Sequence, residues 1–485
     1  MRSTFSGLEL ARRALQTQQT ALNTVGHNIS NANTPGYSRQ EVVTSPTGPY
    51  TSPSNIRPMA AGHIGTGVAV VSIQRQFDKY VANQWRLENG LLAQWNQKQL
   101  AMQQIESIFN EPSESSLRMA VDEFWSALNQ LAIEPTELSS RALVKQTAIT
   151  MVDTFKTMDR QLDQISKDYD ELGRAAVSEI NSLVKQIEDV NKRIVRSTAM
   201  GDQPNDLLDQ RDLLLDKLTE LVNVDMEENN RGDMRISFGG HVLVPYVGEN
   251  HESLKFNYHN EQMTLVRSSD DVVVLTHTQV ENNITHGKVK GIFESKEAIA
   301  KYQDYLEEYA MGYVNALNAQ HNQGVGLNGQ TDIDFFVTTL DGEGNPIPGI
   351  KGLAVNPAII NDLGLIAASA SGAKGDGTNA VELAALRHGG NLEYAGQNVT
   401  FDQFYRAVIA DLGIETDETI KMTDNQKILA YQFELRQEQF RGVSLDEEMT
   451  KMVQYQHSYA AAARLTTAID EMIDVIVNRL GIVGR

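Results

Sequence analysis

Four short motifs in the sequence have residue types and spacings that could perform chemistry. Residues 324–329 match the Gly-x-Gly-x-x-Gly fingerprint with which a strand–turn–helix unit binds a dinucleotide pyrophosphate. Residues 231–233 spell Arg-Gly-Asp, a cell-adhesion tripeptide. His251 and Glu252 begin a His-Glu-x-x-His zinc motif. Residues 341–345 resemble the start of a calcium-binding loop.

The residues around these motifs argue against each of the four chemistries. No strand pattern leads into residues 324–329 and no helix pattern follows them, so a loop is predicted there. Lys255 stands where the second zinc ligand would be, and Pro346 replaces the glycine that a calcium loop needs. The Arg-Gly-Asp tripeptide reads as a turn entering a strand, and residues 341–345 read as a hairpin turn. The ten histidines form no ligand cluster in the sequence. We therefore predict no catalytic, cofactor-binding or metal-binding residues, and a protein that is not an enzyme.

The charge balance excludes nucleic acid as the main partner. The 485 residues include 63 acidic and 42 basic side chains, for a formal net charge of −21. Binding to a phosphate backbone depends on Lys and Arg that release counterions. The acidic surface instead favours solubility and resistance to aggregation.

Cysteine usage and hydropathy set the cellular context. The chain has no cysteine, so it can form no disulfide, which suits a protein that crosses from a reducing to an oxidising space. The first residues lack the long apolar core of a cleaved signal peptide, and no stretch reaches the ~18 apolar residues that span a bilayer. If the protein is exported, we expect a route that does not cleave a signal peptide, and we expect no membrane insertion.

The N-terminal segment has the spacing of a helix with one apolar seam. Ser6 and Glu9 offer a capping box at its start, and residues 33–36 end it because Pro and Gly disfavour helical continuation. The seam residues recur at alternating intervals of three and four, which is heptad spacing. They are Leu8, Ala11, Leu15, Gln18, Leu22, Val25 and Ile29.

The C-terminal segment predicts a matching helix. Ser444 and Glu447 form a possible capping box after Gly442. A first predicted seam comprises Leu445, Met449, Met452, Gln456, Tyr459, Ala463 and Thr466. A shifted seam continues with Leu465, Ile469, Met472, Ile476 and Leu480. We predict that the two terminal helices pair. Because few large apolar residues would offset the entropy lost on ordering them, we expect them to be loose in a monomer and to order against neighbouring subunits.

The sequence between these helices predicts an elongated, multidomain α+β protein. An extended arm (41–76), with two short valine-rich strands, precedes a long helical-bundle rod domain (77–222, 294–322 and 397–442). An antiparallel β domain (223–293) is inserted centrally, with its last strand at 288–292. Residues 323–396 are rich in Gly and Asn and form an insertion or a second small outer domain. Within the rod, we predict a helix from Thr400 that breaks near Gly413 and restarts at Thr423, with Gln426 completing a capping box. Residues 1–40 and 443–485 form the paired coiled-coil domain.

Two terminal motifs resemble those of the bacterial flagellar rod, hook and hook-associated proteins. The first spans residues 26–39, and the second spans residues 443–459. The N-terminal positions that carry the resemblance are Asn28, Asn31, Ala32, Asn33, Thr34, Pro35, Gly36 and Tyr37. Helical sequence after residue 77 favours the hook-associated branch, since hook and rod proteins are expected to be β-dominated between their ends.

The resemblance implies a structural subunit that joins hook to filament. It further implies uncleaved export through the flagellar type III apparatus to the extracellular hook–filament junction. Terminal helices would form an inner tube, helical rods the next layer and the β domain the outer surface. The implied partners are a ring of like subunits, the hook protein, a second junction protein, and an export chaperone at the C-terminal helix.

Two alternatives stay open at this stage. The end motifs also permit another axial protein, a hook or distal-rod subunit. A protein of a different class, an adhesin or enzyme carried on the flagellum, would have to house its activity in residues 323–396.

Overall fold

The computed structural model describes residues 5–48, 65–109, 116–389 and 392–479, most of which are helical. Its helices are α1 (Ser6–Ser30), α2 (Lys79–Phe109), α3 (Leu117–Ile133), α4 (Leu138–Ala199), α5 (Asn205–Leu221), α6 (His277–Asn283), α7 (Lys288–His321), α8 (Gly349–Gly352), α9 (Pro357–Asn361), α10 (Thr378–Ala385), α11 (Phe401–Arg441) and α12 (Leu445–Asp474). A π-helical turn, Val475–Arg479, follows α12. The predicted α+β class with long rods is confirmed.

The strands are short and pair only antiparallel in the described residues. They are β1 (Gln40–Pro46), β2 (Val68–Arg75), β3 (Asp225–Glu228), β4 (Met234–Phe238), β5 (His241–Val244), β6 (Leu254–His259), β7 (Gln262–Arg267), β8 (Val273–Leu275), β9 (Phe336–Thr338), β10 (Leu353–Val355), β11 (Leu392–Tyr394) and β12 (Gln397–Val399). The predicted pairing of the valine-rich segments is confirmed, because β1 and β2 form a hairpin in which Val42 lies opposite Ile73. Residues 49–64, between the two strands in the sequence, lie outside the described residues.

An aromatic core joins the rod helices. Trp125 of α3 donates a hydrogen bond from Nε1 to the hydroxyl oxygen of Tyr313 on α7 at 3.2 Å. The Tyr313 ring stacks on Phe401 of α11 with centroids 4.0 Å apart. All three side chains are almost fully buried. Stacked and edge-to-face aromatic pairs add stabilisation beyond their buried area, so this cluster fixes three helices against one another.

Residues 323–389 pack into the same core rather than standing apart from it. Phe335, Phe336 and Ile366 are buried in one hydrophobic cluster with the rod residues. The guanidinium of Arg141 on α4 donates hydrogen bonds to the carbonyl oxygens of Leu363 and Ile366. This segment is therefore an integral part of the rod's packing.

Two sheets form the β region beside α4. One has the order β3-β4-β5 and the other β6-β7-β8, and Phe238 and Phe256 join them with ring centroids 5.1 Å apart. Two asparagines of α4 attach the sheets. Asn181 bonds both the N–H and the C=O of Phe256, and Asn191 does the same to Met234.

The predicted last strand of this region, residues 288–292, is wrong. These residues form the first turns of α7, with Val289 and Ile292 buried on one helical face. Gly287, the residue before α7, has φ +106, a conformation that glycine adopts readily. Upstream, the strand β8 is only three residues long, Val273–Leu275. Thr276 and Gln279 then form a capping box that starts α6.

The predicted break in the last rod helix is also wrong. α11 runs unbroken from Phe401 to Arg441 and packs along α2. Gly413 costs about 1 kcal/mol of helix propensity, which the packing against α2 outweighs. Thr423 lies inside the helix, where its hydroxyl donates to the carbonyl oxygen of Thr419, and Gln426 donates to the carbonyl oxygen of Glu88.

Candidate assembly site

The two terminal helices pair, as predicted, and they run antiparallel. Near one end of the pair, the Ile469 side chain lies 3.1 Å from where a Cβ on Gly7 would be. Near the other end, the Asn28 amide donates to the carboxylate of Glu448 at 2.8 Å. The predicted capping box at the start of α1 does not form. Glu9 instead accepts hydrogen bonds from Arg12 and Arg13, and its pKa is lowered to about 2 by these two guanidinium groups.

Small and polar side chains make the closest contacts between the two helices. Buried residues of α1 are Ala11, Thr17, Ala21, Thr24, Val25 and Asn28. In the described part of α12, the buried residues are Glu448 and Ala462. Of the predicted α1 seam, Ala11 and Val25 are buried, whereas Leu8, Leu15, Gln18, Leu22 and Ile29 are half-buried. The pair therefore encloses little apolar volume in a single chain.

The predicted α12 seams do not, for the most part, face α1. Met452 and Ile469 are half-buried, but the larger part of the predicted set is exposed: Leu445, Met449, Tyr459, Leu465, Met472 and Ile476. Leu480 lies outside the described residues. The seam that does approach α1 has the same heptad spacing in another phase. Its buried or half-buried members are Glu448, Met452, Tyr455, Ala462, Thr466, Ile469 and Ile473, whereas Tyr459, at the same spacing, is exposed.

Nine large apolar side chains of α12 and the turn that follows it are exposed in the described residues. They are exposed by between 37% and 69%: Leu445, Met449, Val453, Tyr459, Leu465, Met472, Val475, Ile476 and Val477. Singly exposed apolar residues are ordinary, whereas this many on one helix favour a binding surface. We call this group of nine residues the outer face of α12. Whether it is the assembly seam stays a prediction.

Asn28 is the point at which both terminal helices meet the arm. Its amide nitrogen donates to the carbonyl oxygen of Gln40 and to the carboxylate of Glu448. Its amide oxygen accepts from the backbone N–H of Gln40 and from the hydroxyl of Tyr37. All four hydrogen bonds that this amide can make at these positions are formed. One side chain thus joins α1, the loop that follows it, β1 and α12.

The aromatic pair of the N-terminal motif lies beside this asparagine. Nδ1 of His27 lies 3.0 Å from the hydroxyl oxygen of Tyr37, and the rings pack edge to face. Burial, followed by the negative charges of Asp206, Asp209 and Glu448, raises the pKa of Tyr37 well above its usual value. The hydroxyl therefore remains a hydrogen-bond donor at any physiological pH.

The turn at Pro35 and Gly36 rests on the rod. Gly36 has φ +80, and a Cβ there would lie 3.1 Å from Cβ of Leu213 on α5, so glycine meets both a backbone and a space requirement. Asn31, Asn33 and Thr34 lie around the same turn, where Thr34 donates to the side-chain oxygen of Asn31. An open cleft of about 440 Å³ beside the turn is lined by Ala32, Pro35, Trp85, Asp216, Glu438 and Arg441.

A row of buried carboxylates on α5 ties the arm to the rod. Asp209 accepts from the backbone N–H of Ser38 and from Arg75, which also bonds Asp212. Arg86 of α2 bonds both Asp212 and Asp216. Burial raises the pKa of Asp209 and of Asp216, so arginine partners are needed to keep these groups ionised. These contacts fix the arm relative to the rod. The polar groups named here bond one another, and none of them is free for catalysis.

The four motifs that suggested chemistry have structural roles in the fold. Asp233 of the Arg-Gly-Asp tripeptide is fully buried and accepts from the backbone N–H of Val247, so it is unavailable to a receptor. Asp341 caps a turn by accepting from the N–H groups of Glu343 and Asn345, which confirms the predicted hairpin turn. Residues 324–329 form a loop, as predicted, in which a Cβ on Gly324 would collide with Asn379. His251 bonds the carbonyl oxygen of Val242.

The described residues contain neither a metal-binding cluster nor a membrane-spanning helix. Among them, no group of three or more His, Asp or Glu side chains could hold a metal ion. No helix there is both long and apolar enough to cross a bilayer.

Sequence reasoning missed Glu448 and Asp209. Glu448 lies in the first turn of α12, where an acid is explained by the helix dipole alone. A signal that could have found Glu448 is a second heptad phase of the C-terminal helix, which passes through this residue and places a charge in the seam. Asp209 carried no signal of its own in an acid-rich helix.

Comparison with known families identifies first the class of protein. Residues 8–37 match the flagella basal body rod protein family, and residues 440–480 match the C-terminal family of the flagellar basal body rod FlgEFG proteins. These are the α1 and α12 segments that meet at Asn28 and Glu448. Both ends of the chain are therefore similar to flagellar basal body rod proteins.

The remaining comparisons identify the particular family. Residues 102–336 match the helical domain of flagellar hook-associated protein FlgK. Flagellar hook-associated protein 1 of Bacillus subtilis is 33% identical over the full length of both chains. The proteins of the same name from Salmonella typhimurium and Escherichia coli are 26% and 25% identical, each over 96% of this chain and 98% of the relative. This chain belongs to the flagellar hook-associated protein 1 family.

A solved structure supports the fold. The flagellar hook junction protein FlgK from Burkholderia pseudomallei superposes with a TM-score of 0.63. The match covers 73% of this chain and 99% of that one at 14% sequence identity, a level at which the likeness concerns the fold alone.

Proposed function

We propose that this chain is the structural subunit that joins hook to filament in the bacterial flagellum, and that it assembles through terminal helices that order on polymerisation. Its family membership makes it a structural component of the flagellum. The observation that carries the assembly mechanism is the outer face of α12, which stays exposed although the helix is paired. Burying these side chains against neighbouring copies would supply the hydrophobic free energy that the pair of terminal helices lacks in a single chain.

The chain divides into parts with separate tasks in this proposal. Residues 1–40 and 443–485 form the inner tube, and residues 41–76 form an arm that leads outward. Residues 77–222, 294–322 and 397–442 form the rod layer, and residues 223–293 form the outer β domain. The buried contacts of residues 323–389 with α4 and α7 support assigning that segment to the rod as well.

The partners follow from this place in the flagellum. We propose a ring of like subunits, with the hook protein on one side and a second junction protein on the other. An export chaperone would cover the outer face of α12 before assembly, because exposed apolar side chains promote aggregation. The assembled protein would be extracellular, at the hook–filament junction, and its export would not involve cleavage of a signal peptide.

The protein acts by position rather than by catalysis in this proposal. The buried polar groups of the terminal site are engaged with one another, and the relatives are structural flagellar proteins. The match to the helical domain over residues 102–336 favours the hook-associated role over a hook or distal-rod subunit.

Localisation on the flagellum tests this proposal. A strain lacking its own copy of the protein would be complemented with the full chain carrying an epitope in the β domain, and gold label would be located on detached flagella. We expect label confined to the boundary of hook and filament, and unfilamented hooks in the uncomplemented strain. Label along the hook, the rod or the filament would contradict the proposal.

A further inference from the structure

One carboxylate is completely buried between the terminal helices. Glu448 has no exposed surface, and Asn28 is 1% exposed. Oε2 of Glu448 accepts from the Asn28 amide at 2.8 Å, and Oε1 accepts from the half-buried Lys451 at 3.2 Å. Removing a carboxylate from water is unfavourable unless hydrogen bonds and a nearby cation compensate. Asn28 and Lys451 therefore supply the hydrogen bonds that compensate for burying this carboxylate.

Heptad spacing alone does not define how the helices align. The buried members of the contact include small residues such as Ala11, Ala21 and Ala462, and its seam repeats every seven residues. A displacement of one heptad would put Ala462 in the place of Ile469 and Tyr455 in the place of Ala462, so the seam would keep its spacing while the sizes of its residues change. A buried polar pair makes only one alignment favourable, because every other alignment leaves it without partners.

The observed alignment shows what a displacement would cost. Asn28 lies three heptads after Gly7, and Ile469 lies three heptads after Glu448, so both ends of the pair share one register. Moving α12 by one heptad along α1 would put Ala462 beside Gly7 and Glu448 beside Ala21. The carboxylate would then be buried without the donor from Asn28.

The connections to the rod leave this displacement open. Only Gly442, Val443 and Ser444 link α11 to α12. A displacement would have to extend residues 442–447, ahead of Glu448, and to break the contacts of Arg39 with the carbonyl oxygen of Arg441 and the carboxylate of Glu447. Covalent structure limits the direction of the displacement, and it does not by itself choose the register.

We propose that Glu448, together with Asn28, is a positioning pair that selects the register of the terminal helices. Since Asn28 also binds Gln40 and Tyr37, the same pair sets the helices relative to the arm and the rod. A fixed register gives the outer face of α12 a fixed height in each subunit. This consequence for the flagellum rests on the proposed function, whereas the register itself is a property of the chain alone.

Disulfide trapping measures the register directly. Because the chain has no native cysteine, only the introduced cysteines can cross-link. In the full-length chain, Gly7→Cys with Ile469→Cys reports the observed register. Gly7→Cys with Ala462→Cys reports the one-heptad displacement. Residues one heptad apart lie about 10 Å apart along a helix, beyond the ~7 Å Cα separation that a disulfide spans. We expect the first pair to cross-link and the second to remain reduced.

Glu448→Leu is the informative variant. Leucine removes the carboxylate and packs against Ala21 in the displaced register, so the ratio of the two cross-links should change at least about tenfold toward the Ala462 pair. Glu471→Leu, which replaces an exposed acid on the same helix, is the matched control and should leave the ratio unchanged. An unchanged ratio in Glu448→Leu, or absence of the Gly7–Ile469 cross-link in the parent chain, would overturn the proposal.

An exchange of the two groups separates register selection from general damage. Asn28→Asp alone places two carboxylates together and should raise the displaced cross-link. Adding Glu448→Gln restores one donor–acceptor contact and should recover the observed register at least in part. If the double variant gives as much of the displaced cross-link as Asn28→Asp alone, the pair does not act as a unit and the proposal fails. Because trapping is done on the isolated chain, its failure is distinct from that of the hook–filament assignment, which localisation alone tests.

Discussion

The rod and the terminal pair place their side chains in opposite ways. In the rod, Trp125, Tyr313 and Phe401 are buried together in stacked and edge-to-face contacts. In α12, large apolar residues such as Met449 and Ile476 are exposed, whereas the charged Glu448 is buried. The rod thus encloses its apolar volume within one chain, and the terminal pair leaves most of its apolar surface outside.

This difference separates the rod, which folds within one chain, from the terminal helices, which need neighbouring subunits. A core of large, interlocked aromatic residues can hold the rod without partners. A pair of helices joined by small residues and one polar contact gains little from burial, and isolated helices of this kind are marginal in water. The comparison predicts that substitutions in the rod change stability, and that substitutions on the outer face of α12 change assembly.

Trp125→Ala should have the largest effect on stability. It leaves a cavity in the rod core and removes the donor to Tyr313, so the free energy of unfolding should fall by about 3–5 kcal/mol. The midpoint of urea unfolding, followed by near-ultraviolet circular dichroism, measures this loss. Trp95→Ala, at a half-buried tryptophan of α2, is the control and should lose clearly less. Equal losses would mean that the aromatic cluster is not the main source of rod stability.

Acid should weaken the rod through His321. Nδ1 of this buried histidine donates to the carbonyl oxygen of Ile333, and Nε2 accepts from the N–H of Ala367. Burial lowers its pKa from 6.5 to about 4, so the unfolded chain binds a proton that the folded chain does not. Stability is complete above pH 6.5 and is lost as the pH falls toward 4, by about 3 kcal/mol.

The measurement is the free energy of unfolding against pH for the parent chain and for His321→Gln, in which the slope between pH 6.5 and 4 should flatten. Burial also lowers the pKa of His286, which adds a slope of the same sign, so His286→Gln serves as the comparison. An identical slope in the parent chain and His321→Gln would contradict the assignment.

Ile476→Asp should have the smallest effect on stability and a complete effect on assembly. Ile476 is 46% exposed, and surface substitutions of this kind change stability by about 0.5 kcal/mol or less. A charge on the outer face of α12 should nevertheless prevent neighbouring copies from packing. Leu15→Asp, at a half-buried position of α1, should give the same result. Electron microscopy of complemented cells measures assembly, and normal filaments in both variants would show that these positions are not in the seam.

The long rod helices could be predicted from the sequence because strong local signals bound them. α4 begins after Pro135 and ends before Pro204, and its buried stripe of Leu183, Ile187, Val190 and Ile194 has helical spacing throughout. The start of α7 and the continuity of α11 could not be predicted in this way. In both places, packing against distant helices decides the outcome, and local propensity carries no trace of it.

The terminal site was only partly predictable. The resemblance singled out Asn28 and Tyr37, and periodicity predicted that α1 and α12 pair. The phase of α12 that approaches α1 could not be predicted, because a buried glutamate contradicts the expectation that charges face water. Its partner lies at the opposite end of the sequence, and only the folded chain shows that an amide is available there.

Amide hydrogen exchange in the full-length chain, alone and in assembled flagella, tests the central claim most directly. In the isolated chain at low concentration, we expect rapid exchange in α1 and α12 and slow exchange in α4 and α7. After assembly, the terminal helices should become protected while the rod changes little. Strong protection of α1 and α12 in the isolated monomer, equal to that of the rod, would contradict assembly by ordering of the terminal helices.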